Sequence, residues 1–274
     1  MVSDLLTVPV VLVALGAASV YTGWKRRRVH ARMAALEPTP IGSLPADGRV
    51  EVEGTATPVD DPITAPVSGR EAVVAAWTVE EWDERGDRGR WREVARGIES
   101  APFRVDDDTG SVACEPISKR ETAGKWTQTT GVTATEGVRI DDALAEFASF
   151  AVEMELPPDA DPPPGIRRLH ADHGLYEDTG SVTNVVDVGT EHGHRRYTEG
   201  TVDVGESVYV LGRVESDGNG PTVTTPREGP FVVSDRAEAA LEASIEGTAR
   251  RRLVGGAVAT VLGLAGAGYL LAPF

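Results

Sequence analysis

Val50-Glu51-Val52-Glu53-Gly54 alternates apolar and acidic residues with a period of two and stops at a glycine. Far downstream, Val208-Tyr209-Val210-Leu211-Gly212 ends the same way. Each follows a turn containing glycine and an acid, at Asp47-Gly48 and at Gly205-Glu206. Period-two alternation puts one set of side chains on each face of a strand, and a terminal glycine marks a bend or bulge. Between these two stretches, residues 72–82, 91–96, 103–105, 111–114, 181–188 and 197–204 read as further strands, with a polar turn over 86–89. The fold class expected is mainly β, in small barrel-like or sandwich-like lobes.

Two segments break this pattern. In residues 141–155, Leu144, Phe147, Phe150 and Met154 recur at spacings of three, three and four, Asp141 stands at the start and Pro157-Pro158 at the end. That spacing predicts one amphipathic helix. Residues 159–165, Asp-Ala-Asp-Pro-Pro-Pro-Gly, read as an exposed linker dividing the β-rich part into two lobes near 157–165. Residues 235–252 have helical composition, with Ser234 placed to cap them.

The ends are apolar. Residues 5–24 and 253–274 form uncharged runs of 20 and 22 residues, long enough to cross about 30 Å of hydrocarbon as helices. Lys25-Arg26-Arg27-Arg28 follows the first run and Arg250-Arg251-Arg252 precedes the second. The positive-inside rule therefore predicts a two-pass cell-membrane protein, with both termini outside and residues 33–249 in the cytoplasm. Ala14 with Ala18, and Gly263 with Ala267, are small-residue pairs at which the two helices are expected to pack closely.

Charge narrows the partners. Residues 33–249 hold 42 acidic and 19 basic side chains, a net of −23, against −16 for the whole chain. Such a surface repels phosphate backbones, so no nucleic-acid partner is expected. Only Lys25, Lys119 and Lys125 are lysines, and this acidic, lysine-poor composition suits a high-salt cytoplasm. Cys114 stands alone, which excludes an internal disulfide and thiolate zinc or iron–sulfur sites. It reads as a small buried apolar residue.

Three constellations invite a chemical reading. Asp-Thr-Gly-Ser-Val occurs at 108–112 and at 178–182. Paired Asp-Thr-Gly-Ser loops serve as the catalytic dyad of pepsin-like proteases, but those loops need apolar flanks, and Asp106, Asp107 and Glu177 stand here. Hairpin turns are the expectation. His170, His173, His192 and His194 fall close together, with Asp172 and Glu191 available to orient them. They leave a metal-dependent enzyme open as an alternative function, although Gly174 and Gly193 also fit exposed turns. Trp77, Trp82, Trp91 and Trp126 are expected to pack the first lobe. No catalytic residue and no cofactor site is assigned.

The order of motifs also resembles a known family. Pro66-Val67-Ser68-Gly69 follows the first strand; Trp91, Phe103-Arg104-Val105-Asp106 and Asp108-Thr109-Gly110 come next; then Arg196-Tyr197-Thr198-Glu199-Gly200 and residues 205–212. Over residues 41–234 this is similar to the GIDE-type, or beside-a-membrane, domain of mitochondrial E3 ubiquitin ligases of the MULAN type. The resemblance implies a membrane-tethered scaffold or adaptor with a protein partner. Those ligases add a zinc-binding RING, which needs about eight Cys and His ligands, and the cysteine content here does not supply one. A part in a ubiquitin-transferase-like system and a structural role in envelope organisation are the remaining alternatives. Strand edges near Val50 and Val208 are the expected docking edges.

Overall fold

The computed structural model describes residues 9, 11–21, 24, 38–84, 89–122, 137–175, 191–217, 220–226, 228–236, 254–265 and 267. The chain divides into two units, residues 1–37 with 238–274, and residues 38–237.

The second unit is built on two sheets. Strands β1 (Asp47–Pro58), β5 (Phe103–Asp107), β6 (Gly110–Cys114), β12 (Ser207–Asp217) and β13 (Gly220–Thr224) close a ring in the order β1-β5-β6-β13-β12 and back to β1. Four of its five pairings are antiparallel, and β6 with β13 is parallel. This ring order is the connectivity of the five-stranded Greek-key barrel of the OB type. Strands β14 (Phe231–Ser234), β9 (Ala143–Glu146) and β8 (Gly137–Ile140) extend the sheet outward from β12.

Closing so small a barrel forces its long strands to change neighbours midway. Residues 47–55 of β1 pair with β12, and residues 55–58 pair with β5. On β12, residues 209–211 pair with β14 and residues 213–217 with β13. Gly54 and Gly212 sit at these two changeovers. A Cβ on Gly54 would lie 2.3 Å from the Asp106 carbonyl oxygen, and one on Gly212 would lie 2.5 Å from Val223 Cγ1. The glycines ending both alternating motifs thus admit a crossing backbone or side chain. Near Val208 the strand is paired on both sides, to β1 and through residues 209–211 to β14, whereas near Val50 one edge is paired to β12 and on the other the Glu51 carbonyl accepts the Thr39 N–H.

The second sheet runs β10 (Ala151–Leu156), β11 (Arg195–Asp203), β3 (Glu71–Asp83), β4 (Arg90–Ser100) and β7 (Ser118–Thr122), with the short β2 (Ile63–Thr64) beside β3. Strands from either side of residues 157–165 therefore share both sheets. One core joins the barrel interior, through Val50, Val52, Phe103, Val210 and Phe231, to Val74, Ala76 and Ile98 of the second sheet. Cys114 belongs to it at 2% exposure, and burial pushes its thiol far above the usual range. A second core lies between the opposite face of that sheet and helix α1 (Pro164–His173), and contains Trp77, Val79, Ile166, Leu169 and Tyr197.

Two expectations about helices are corrected. Residues 141–155 are not one helix. They form β9 and β10, and Asp141 sits in the turn before β9 at φ 53°. The apolar ends form helices over 11–21 and 254–265, but no helix among the described residues is long and apolar enough to cross a membrane. The transmembrane helices expected at 5–24 and 253–274, and with them the two-pass cell-membrane location with outside termini, are not supported. Within this unit the helices do approach closely. A Cβ on Gly16 would lie 2.3 Å from Thr260 Oγ1, and one on Gly263 would lie 2.8 Å from the Pro9 carbonyl oxygen. Contact is thus made at Gly263 and at Gly16, while Ala14 and Ala18 are exposed.

Candidate interaction groove

Arg196-Tyr197-Thr198-Glu199-Gly200 lies on β11, the second strand of its sheet, so its alternate side chains face opposite ways. Arg196 turns to the face away from α1, where it pairs with Glu80 and lies 4.4 Å over the Trp91 ring. Tyr197 turns toward α1 and is fully buried, with its hydroxyl 2.8 Å from His170 Nε2. Glu199, on that same face, is 1% exposed. Its carboxylate accepts the backbone N–H groups of Val67 at 2.8 Å and Ser68 at 2.9 Å. Gly200 leaves room for a ring: a Cβ there would lie 2.5 Å from Phe147 Cδ2.

The carboxylate of Glu199 therefore fastens the loop Pro66-Val67-Ser68-Gly69 across the sheet face, joining two motifs 132 residues apart. A buried carboxylate is costly unless hydrogen-bonded, and two backbone donors supply that compensation. The N-terminus of α1 packs on this loop, since a Cβ on Gly165 would lie 2.9 Å from the Pro66 carbonyl oxygen. Between loop and helix lies an open groove of about 660 Å³. Val67, Met154 and Leu169 give it apolar walls, and Glu99, Arg168 and Asp172 give it charged ones.

The four histidines do not converge. His170 and His173 lie on α1, one bonded to Tyr197 and the other edge-on to Trp77 at 4.7 Å. His192 Nδ1 accepts the Glu84 N–H at 3.3 Å, and His194 lies 3.8 Å from a Glu155 carboxylate oxygen. Among the described residues, no group of three or more His, Cys, Asp or Glu is placed to hold a metal ion. The first Asp-Thr-Gly turn is the hairpin between β5 and β6. Desolvation raises the Asp107 pKa, but the N–H groups of Ile41, Thr109 and Gly110 and the Thr109 hydroxyl outweigh it and hold the carboxyl at about 2. The second turn, at 178–182, lies outside the described residues, as do Trp126, all of residues 181–188 and most of residues 235–252. Trp82 and Trp91 pack edge to face at 5.4 Å near the end of the β3–β4 hairpin.

His170 carries a pH prediction. Burial, then the nearby Arg195 guanidinium, lowers its pKa from 6.5 to about 4. Between those values the unfolded chain binds the proton and the folded chain does not. Stability is thus expected to fall as pH drops from about 6.5 through 4. Solvent screening at this half-buried site limits the loss to about 1 kcal/mol. Denaturant midpoints across pH 7 to 4 measure it, and His170→Phe should flatten that part of the profile.

Fold and groove together define a β-rich module with an open groove between a loop and a helix. The family model described as "GIDE: E3 Ubiquitin ligase" matches residues 178–268, a span containing the Arg196–Gly200 motif and strands β11 to β14. The match is consistent with a GIDE-type domain and with a ubiquitin-ligase-related role. No curated protein and no solved structure matches the chain.

Proposed function

We propose that this chain is a protein-interaction module of the GIDE type, which holds a segment of a partner protein in the groove between residues 63–69 and α1 and so acts as an adaptor in a ubiquitin-ligase-related system. The observation that carries this reading is the Glu199 carboxylate. The matched segment spends a buried charge on holding a distant loop in place, and that loop forms one wall of the groove. Buried charges are costly, and this one builds a concave surface of mixed apolar and charged lining, as binding clefts require.

A photocrosslinking residue at Asp172, which is exposed on the groove rim, tests it in the full chain in its own cells. The control is the same residue at exposed Pro221, on β13. A near-stoichiometric protein adduct at position 172, absent at 221 and lost with Glu199→Ala, is the expected result. The same spectrum of adducts at both positions would overturn the adaptor reading.

A further inference from the structure

Of the strands that end the two sheets, β10 differs from the others in what its edge offers. Among the described residues it pairs only with β11, and its other edge has no partner strand. Ala151, Val152, Glu153 and Glu155 are exposed, Val152 at 47%. At the far side, β7 carries charges of both signs, Lys119 and Arg120 with Glu121, whereas the charged residues of β10 are all acidic, Glu153 and Glu155, each 3.8 Å from one basic side chain, Arg70 and His194. At the end of the barrel sheet, β8 is mostly buried.

We propose that the outer edge of β10 pairs, by strand addition, with an extended lysine- and arginine-rich segment of the partner held in the groove. This rests on the groove reading above and names the chemistry of its occupant. Three observations lead to it. An unpaired row of N–H and C=O groups is a template for another strand, whatever the sequence of that strand. Charge then selects which strand. Glu153 and Glu155 lie on β10, and Asp159 and Asp161 follow it. A second copy of β10 would bring like charges face to face, so self-pairing is disfavoured and a basic strand is favoured. Position supplies the third. Met154 lines the groove, and Glu153 lies 3.8 Å from Arg70, just beyond the groove loop. A segment laid along β10 therefore passes the groove mouth. The bulge between Val152 and Met154 bends the strand and limits the pairing to a short stretch.

The test uses the full chain and acetyl-Lys-Val-Lys-Val-Lys-Val-amide at about 0.1 M salt, where charges within about 10 Å still act. Hydrogen exchange of residues 151–156 is read by mass spectrometry. The peptide is expected to slow that exchange. The Glu-Val counterpart and a basic peptide N-methylated at alternate residues should not. Glu153→Lys combined with Glu155→Lys should weaken basic-peptide binding at least tenfold, with the free protein's exchange pattern elsewhere unchanged. Equal protection by the acidic or N-methylated peptide, or none from the basic peptide at millimolar concentration, overturns the proposal. The two readings fail separately. Adducts at Asp172 with β10 unprotected remove the edge proposal and leave the groove. Protection of β10 without a specific Asp172 adduct removes the groove and leaves strand addition standing alone.

Discussion

Glu199→Ala is expected to destabilise the protein by about 3 kcal/mol, the order of two charge-assisted hydrogen bonds lost from buried donors. Glu199 is 1% exposed, so water does not readily replace the missing oxygens. The Val67 and Ser68 N–H groups lose their acceptor, and the loop over 65–69 is left to the packing of Ala65 and Val67 and to its own bond from the Gly69 N–H to the Ala65 carbonyl. Glu199→Gln separates shape from acceptor count. It fills the same volume but presents one oxygen and one NH2 group to two donors, so about 1–2 kcal/mol is expected. Urea unfolding gives the stability difference. Hydrogen exchange at Val67 and Ser68 should speed up in the alanine variant before global unfolding. A loss below about 0.5 kcal/mol, with those amides still protected, would mean that the carboxylate does not hold the loop.

The strand content was legible where side-chain alternation and glycine coincided. β1, β3 to β6, β11 and β12 all fall on stretches that read as strands. Barrel-like or sandwich-like lobes were expected, but the closure itself was not legible, because it depends on β6 meeting β13 in parallel, a pairing that no local pattern encodes, and the same holds for β14 with β9 outside the ring. The misread helix at 141–155 has a physical cause. Two short strands joined by four residues happen to place Leu144, Phe147, Phe150 and Met154 at helical spacing, and Phe147 and Phe150 stack at 6.2 Å in the connection itself. Conversely, α1 hid inside a stretch read as linker and turn. Its signals were present: Pro164 in the first turn, Ile166 and Leu169 three apart, and Gly174 closing the helix at φ 60°. The groove was half legible. Both of its motifs stood out in the sequence, but the bond from Glu199 to Val67 crosses 132 positions, and an acidic residue on a strand ordinarily reads as solvated.

Trp77→Leu and Gly97→Ala are each expected to be costly, and their combination less costly than their sum. Trp77 is fully buried and lies on β3 directly opposite Gly97 of β4. Its ring covers the glycine so closely that a Cβ on Gly97 would stand 2.4 Å from Trp77 Cζ2. Gly97→Ala must therefore push the indole toward α1, whose His173 ring already lies against it at 4.7 Å. Overpacking of this kind costs about 1–3 kcal/mol. Trp77→Leu leaves a void beneath α1 and should cost about 2–4 kcal/mol, short of the about 3–5 typical of truncating a buried aromatic residue to alanine. In the double variant the new methyl group occupies part of that void instead of meeting a ring. A favourable coupling of at least about 1 kcal/mol is expected from the double-mutant cycle, measured by urea unfolding of the full chain. Additivity within about 0.5 kcal/mol would show that the indole does not rest on Gly97. The same variants bear on the groove, because Trp77 supports the helix that forms its wall. Gly97→Ala should shift α1 outward and reduce the specific adduct at Asp172 by more than its stability cost accounts for, whereas the double variant should restore the adduct.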